Sequence, residues 1–317
     1  MNFSSHTLNN LFADAEHWLW LRRKGYPPES DFWNFRRSWP DEREAVISEF
    51  RSGEYRLDLQ QRITLASGES VALWSSRDAL VLKVLTAILH TCLKPQLSPA
   101  CYHLRGHGGL KGAVRDVMRA YPRARFFFKT DVKSYYASIR HSLLLLRLHD
   151  VIHDQVLIGY VWQFLNRCVE WGGLYQDIRI GIPRGASLSP LIGAFFLNDL
   201  DILLCDEYVV YVRYMDDILI LTSTRHELRR AIRVVNQSLA DLQLIKHPDK
   251  TLMGRTERGF DFLGYHFSPG GLSLAEATLA RFTEHALRLY EQEPLCNREE
   301  RLVEYIIRWR LWAVAGL

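Results

Sequence analysis

Apolar residues fall in blocks whose period changes along the chain. Residues 7–52 carry Trp, Phe and Leu among Arg and Glu, read as short helices punctuated by Pro27, Pro28 and Pro40, with Asp31 and Asp41 at N-cap positions. The alternating stretch YRLDLQQRITLASGESVALW, centred on Ser67–Gly68, predicts a β-hairpin. Residues 77–97 form a strongly apolar helix ended near Pro95 and Pro99, and 108–121 an amphipathic one. FFFKTDVKS (126–134) is a short apolar run bounded by polar residues, as a buried strand requires. Residues 141–170 are helical by period, and 182–203 is a Gly/Pro loop feeding a helix. VVYVRYMDDILILTS (209–223) is two β-branched runs split by a four-residue polar turn, a hairpin with two carboxylates at its tip. Helix returns at 225–244, strand at 259–269, and two helices close the chain at 275–292 and 299–314. Strands separated by helices in mixed order predict an α+β fold.

Composition narrows the function classes. Of the 317 residues, 48% are hydrophobic and 24% charged, which suits a folded domain and excludes a disordered chain. The net charge of +4 permits a polyanion partner without requiring one. No apolar run is long enough to span a bilayer, and the N-terminus lacks a signal-peptide core, so no membrane role is expected. The five cysteines (Cys92, Cys101, Cys168, Cys205 and Cys296) are scattered without a CxxC pair. That excludes a disulfide framework, argues against zinc, and predicts a reducing, cytoplasmic setting.

The sharpest chemical feature is Tyr214-Met215-Asp216-Asp217 between Val- and Ile-rich flanks. Adjacent Asp residues in a strand point to opposite faces, whereas at a tight turn both reach one site. Asp131 ends another apolar strand. If the two segments are neighbours, three carboxylates meet at one sheet edge. Like charges 4 Å apart repel by about 4 kcal/mol at an effective dielectric near 20. Such a cluster needs protons or bridging cations, and all-oxygen ligands suit Mg²⁺. A solvated turn is the plain alternative for an Asp-Asp pair. The buried-strand flanks and the third Asp weigh against it.

Seven segments in order carry a resemblance. FRSGEYRLDLQQRITL resembles the entry to the fingers of prokaryotic reverse transcriptases of the group II intron and retron type, and SPACYHLRGHGGLKGAV resembles their SYGFRPG-like motif. FFFKTDVKSYYASI resembles motif A, GIPRGASLSPLIGAFFLNDLD motif B and YVRYMDDILIL motif C. LQLIKHPDKTLMG and GFDFLGYHF resemble motifs D and E. The matches run from about residue 50 to 267, most of the chain. The resemblance implies a right-hand polymerase fold. Fingers would cover 1–125, with 141–180 as inserted helices. The palm, built on an antiparallel sheet, would cover 126–270, and a short helical thumb 271–317.

It also implies roles. Asp131, Asp216 and Asp217 match the metal-binding aspartates, with the Val132 carbonyl completing the first metal shell of two Mg²⁺ ions, for which Mn²⁺ substitutes. Tyr136 matches the aromatic ring that blocks a 2′-hydroxyl, core packing being its alternative. Lys250 matches the lysine that protonates pyrophosphate, with Lys246 as competitor. Gly185 lets backbone approach the nucleotide sugar. Two features depart from the pattern, the motif B residue and the fingers hairpin. Arg184 stands where the family has Gln, and Glu69 and Val71 stand where a basic nucleotide-gripping residue is expected. Arg62 and Arg77 are the nearest substitutes. Residues 101–129 hold seven basic residues (among them Arg105, Lys111 and Arg115) against the single acid Asp116, a nucleic-acid-binding stretch by this reading and a solvated face by the plainer one. Arg281 and Arg288 share a face of the first thumb helix, while Trp309 and Trp312 read as core.

The implied activity is RNA-directed DNA synthesis from dNTPs on a dedicated structured non-coding RNA, giving a DNA product. No RNase H, maturase or endonuclease segment is expected after the thumb. A homo-oligomer or second protein subunit is a further expected partner, and anti-phage defence a role that short members serve. Template-independent or protein-primed DNA synthesis, and a catalytically silent RNA-binding subunit, are the alternatives.

Overall fold

A computed structural model of the chain describes residues 4–64, 70–292 and 295–317. The hairpin turn at Ser67–Gly68 and Glu69 lie outside the described residues. In chain order the elements are α1 (Ser5–Arg23), α2 (Asp31–Ser52), β1 (Gln60–Thr64), β2 (Ser70–Leu73), α3 (Ser76–Leu93), α4 (Gly109–Ala120), β3 (Phe126–Thr130) and a single turn α5 (Tyr135–Ser138). Next come α6 (His141–Val151), α7 (Gln155–Leu165), β4 (Cys168–Trp171), β5 (Leu174–Asp177), α8 (Ser189–Phe196), α9 (Asn198–Leu204), β6 (Val210–Tyr214), β7 (Asp217–Thr222) and α10 (Arg225–Asp241). The chain closes with β8 (Leu252–Arg255), β9 (Phe260–Phe262), β10 (Tyr265–Ser268), β11 (Gly271–Leu274), α11 (Glu276–Gln292) and α12 (Leu295–Val314).

Contacts divide the chain into two units. The first comprises Met1–Leu97, Ser134–Leu197 and Leu242–Leu244. Its centre is α3, which buries Leu80, Val81, Leu82, Val84, Leu85, Ile88 and Leu89. Arg23 of α1 donates to Ser76 Oγ at 2.6 Å and to the Trp74 carbonyl at 3.0 Å, tying α1 to the start of α3. A four-stranded sheet runs in the order β2-β1-β4-β5. Its β4–β5 hairpin corrects the helix expected to run to residue 170. Gly172 and Gly173 both take positive φ (58° and 84°), the two-glycine turn that matches strand twist. Pro40 also behaves differently from expectation. It lies inside α2 rather than ending a helix, on an exposed face where only the Arg36 carbonyl loses its helical donor. Ser30, not Asp31, caps α2, and Asp41 lies within it.

The second unit comprises Ser98–Lys133, Asn198–Asp241 and Ile245–Leu317. Its antiparallel sheet has the order β6-β7-β3-β8. One face buries Phe127, Val212, Leu219 and Leu221 with Ala113, Val114 and Val117 of α4 and Phe260, Phe262 and Phe267 of β9 and β10. Against the strands β3 and β7 packs α10, whose Ala231, Val235 and Leu239 make a buried stripe at four-residue spacing. The small sheet β11-β10-β9 gains in β11 a strand that the 259–269 pattern did not predict. Among the described residues no helix is long and apolar enough to cross a membrane.

Candidate active site

The carboxylates gather at one end of the antiparallel sheet of the second unit. β6 and β7 form a tight hairpin in which Tyr214 pairs with Asp217, leaving Met215 and Asp216 as a two-residue turn. Met215 takes φ 56°, the left-handed region that a non-glycine residue enters only at a cost. The neighbouring strand β3 pairs Thr130 with Ile218, so Asp131, the next residue, continues that register toward Asp217. Val132 bridges to Lys246, flanked by bonds from Lys133 N–H to the Ile245 carbonyl (2.8 Å) and from His247 N–H to the Asp131 carbonyl (2.7 Å). In that antiparallel pattern Val132 holds a non-hydrogen-bonded position, so its own carbonyl turns away from the 245–247 strand.

Electrostatics report the convergence. The Asp217 carboxyl is pushed up to about 6 by burial first, then by the negative charges of Asp131 and Asp216, against the opposing pull of Lys250 and Lys129. Lys250 donates from Nζ to Asp131 Oδ2 at 2.9 Å, and this hydrogen bond raises its own pKa. The competitor Lys246 has its ammonium 5.9 Å from the Phe128 ring centre instead. Among the described residues no group of three or more His, Cys, Asp or Glu side chains is arranged to hold a metal ion. The raised Asp217 and the all-oxygen donor set nonetheless fit a hard divalent cation, with the Lys250 ammonium as counter-charge in this arrangement. A groove of about 550 Å³ opens beside Asp217, lined by Lys129, Lys250, Asp261 and Arg281 among others.

The remaining expected residues separate. The Lys111 ammonium donates to the Tyr265 hydroxyl and the Trp312 carbonyl and lies 4.2 Å from the Trp312 ring centre, a tie between α4 and α12. Arg105 and Arg115 are exposed. Arg281 lines the groove at Asp217, whereas Arg288 pairs with Glu284 at 3.0 Å. Arg125 lies far from the carboxylates along β3, where with Arg225 and Arg255 it lines a separate basin.

Tyr136, Arg184, Gly185, Arg62 and Arg77 belong to the first unit. The Tyr136 ring is half-buried and lies so close to Gly193 that a Cβ there would come within 2.9 Å of its Cε1. Gly185 takes φ 82° in open space, so conformation and not crowding demands glycine. Arg77 pairs with Glu49 at 3.5 Å and Glu42 at 3.9 Å. Arg62 lies 5.7 Å from the Trp171 ring centre. Arg184 is exposed in a small groove with Arg22, Arg23 and Ser187. Arg22 was not anticipated, because nothing local marks one Arg of an arginine-rich helix as facing a groove.

Residues 75–267, more than half of the chain, match the family described as reverse transcriptase (RNA-dependent DNA polymerase). The chain is similar to an uncharacterized 91 kDa protein in the cob intron of Schizosaccharomyces pombe, at 26% identity over 50% of this chain and 20% of that protein. It is also similar to the group II intron-encoded protein LtrA of Lactococcus lactis, at 23% identity over 49% of this chain and 27% of LtrA. Protein YkfC of Escherichia coli K12 matches at 22% identity over 71% of this chain and 70% of its own length. The chain thus spans only a fifth to about a third of the intron proteins. The matched span contains Asp131 and the Asp216–Asp217 hairpin, and the chain belongs to the reverse transcriptase (RNA-dependent DNA polymerase) family.

Proposed function

We propose that this chain is an RNA-directed DNA polymerase that adds dNTPs to a 3′-hydroxyl, using Asp131, Asp216 and Asp217 as its metal-binding carboxylates. The observation that carries the reading is Asp217, pushed up to about 6 by burial and by its two acidic neighbours at the open end of an antiparallel sheet. A protein keeps like charges together at such a cost where a cation is to be held. These carboxylates and the Val132 carbonyl would hold Mg²⁺, which would supply Lewis-acid activation of the hydroxyl and charge neutralisation at the departing pyrophosphate. The chain's own groups do the rest. Lys250, a raised ammonium beside Asp131, keeps its proton at neutral pH and holds it near the carboxylates for a leaving oxygen. Tyr136 excludes a 2′-hydroxyl, and Gly185 leaves room for the sugar. The template is a dedicated structured non-coding RNA, with anti-phage defence as the biological setting. Supplying the protein with an RNA of known sequence, a primer, dNTPs and Mg²⁺ tests the reading. A DNA product complementary to that RNA is expected, and a product unrelated to it would reject RNA templating.

Arg184 replaces part of the missing basic grip of the fingers. Arg77 is paired with glutamates and Arg62 lies against Trp171, whereas Arg184 has no ion-pair partner among the described residues. Arg donates only and prefers anionic oxygens, whereas Gln both donates and accepts. Losing one charged hydrogen bond costs about 1.5–3 kcal/mol, roughly 10- to 150-fold in affinity. Arg184→Gln is therefore expected to raise the KM for dNTP by that order with RNA binding unchanged. A KM within about twofold of the parent would reject the role.

RNA affinity should depend on Arg105 and Arg115 and fall with salt. Replacing each by Ala is expected to flatten the slope of log K against log salt by about one unit per lost phosphate contact. Lys111→Ala should behave differently, lowering Tm through the lost α4–α12 tie while leaving the slope unchanged. An unchanged slope for Arg105→Ala with Arg115→Ala would return this stretch to a solvated face.

A further inference from the structure

Behind the carboxylate turn lies a buried ion pair that the chemistry above does not use. Arg213 of β6 and Asp201 of α9 are both fully buried. Arg213 Nε donates to Asp201 Oδ1 at 2.6 Å and its Nη2 donates to Oδ2, a two-toothed fork. The Tyr211 hydroxyl donates to the same Oδ1 at 2.6 Å. With the fork engaged, Arg213 Nη1 donates to the Met215 carbonyl at 2.8 Å. On the other side of the same residue, the Met215 N–H donates to His103 Nδ1 at 3.0 Å. The strand itself is held at this point, since Arg213 N–H donates to the Ala100 carbonyl and the Arg213 carbonyl accepts from Tyr102 N–H, both at 2.9 Å.

Both backbone groups of one left-handed residue are thus bonded to side chains. A two-residue hairpin turn ordinarily places Gly or Asn where φ is positive. Met215 has neither advantage, and an unheld left-handed Met costs about 1–2 kcal/mol. A buried ion pair is also a poor way to gain stability, because well-packed apolar residues of similar volume often serve as well. Stability therefore does not account for the pair, while the direction of Nη1 does. The geometry points to Arg213, oriented by Asp201 and Tyr211, and His103 as positioning residues that hold the Met215 turn, and with it Asp216 and Asp217, in the metal-binding arrangement before any ion or nucleotide arrives. This rests on the reading of Asp216 and Asp217 as metal ligands.

The test separates holding the turn from holding the fold. His103→Ala removes one bond from outside the buried pair. Arg213→Met with Asp201→Leu replaces the pair by apolar residues of similar size. Three quantities are read in each variant: amide exchange of the 213–218 segment, Mn²⁺ affinity by electron paramagnetic resonance, and kcat and KM for dNTP. Each variant is expected to keep its Tm within a few degrees and to exchange this segment at least about tenfold faster, as a locally released turn would. Mn²⁺ affinity should fall about three- to tenfold, and kcat should fall about 10- to 100-fold with KM little changed, the pattern of misplaced reacting groups. His103→Asn, which restores an acceptor near the Nδ1 position, should recover much of the loss. If the double variant does not fold, His103→Ala and its Asn counterpart decide alone. Folded variants with parental exchange and Mn²⁺ affinity overturn the positioning role. If the parent makes no DNA yet the variants change exchange and Mn²⁺ affinity, the polymerase reading fails and the positioning role stands.

Discussion

The double variant Asp216→Ala, Asp217→Ala is expected to lose DNA synthesis while keeping its fold. Removing two ligands of a metal-dependent site should bring incorporation below about one-thousandth of the parent, the scale of several kcal/mol of lost transition-state stabilisation. The same carboxylates are a burden to the unliganded protein. Asp217 is pushed up to about 6, whereas the unfolded chain holds an ordinary Asp near 4. The folded state therefore binds this proton more tightly than the unfolded one. Its charge costs nothing below about pH 4 and its full penalty above about pH 6 to 7, of order 3 kcal/mol. Asp217→Asn should accordingly raise Tm by a few degrees at pH 7.5 in the absence of divalent ions, with the gain disappearing toward pH 4. Added Mg²⁺ should stabilise the parent and not the double variant. Thermal melts across pH, with and without Mg²⁺, measure both effects. Parental incorporation by the double variant would sink the assignment of the metal site.

Tyr136→Ala is expected to admit ribonucleotides. The ring sits on Gly193, where a Cβ would come within 2.9 Å of its Cε1, and its centre is 5.7 Å from that of the Tyr135 ring, so it has little room to retreat from a colliding group. A fixed obstacle of this kind discriminates by repulsion, and about 2–3 kcal/mol of steric exclusion is roughly 30- to 150-fold in selectivity. The ratio of dNTP to NTP incorporation efficiency should fall by that order, with dNTP incorporation itself reduced far less. Tyr136→Phe should retain the parental ratio, because the ring and not the hydroxyl is the obstacle. A ratio that does not move in Tyr136→Ala would assign the ring to packing alone.

Much of the second unit's sheet was legible locally. The runs on either side of Tyr214–Asp217 are β-branched, so their strand character and the carboxylates at the turn follow from short-range pattern. The stripe of Ala231, Val235 and Leu239 likewise announces α10 at its own period. The β4–β5 hairpin was not legible in the same way, because CVEW is as compatible with a helix end as with a strand. What selects the strand is parallel pairing of Val169 with Gln60. Such a pairing depends on residues about a hundred positions away, which no window of local sequence contains.

The sequence by itself determined the chemical inventory: Asp131 after one apolar strand, Asp216 and Asp217 at a hairpin turn, a Tyr five positions after Asp131, and Arg184 in a Gly/Pro loop. Tertiary structure decided which charges remain available to a ligand. Lys111 is drawn to a carbonyl at Trp312, Arg77 to glutamates of α2, and Arg213 to Asp201, while Lys250 rather than Lys246 meets Asp131. A side chain carries its charge wherever it lies, but whether that charge is free depends on which distant groups the fold brings within a few ångströms.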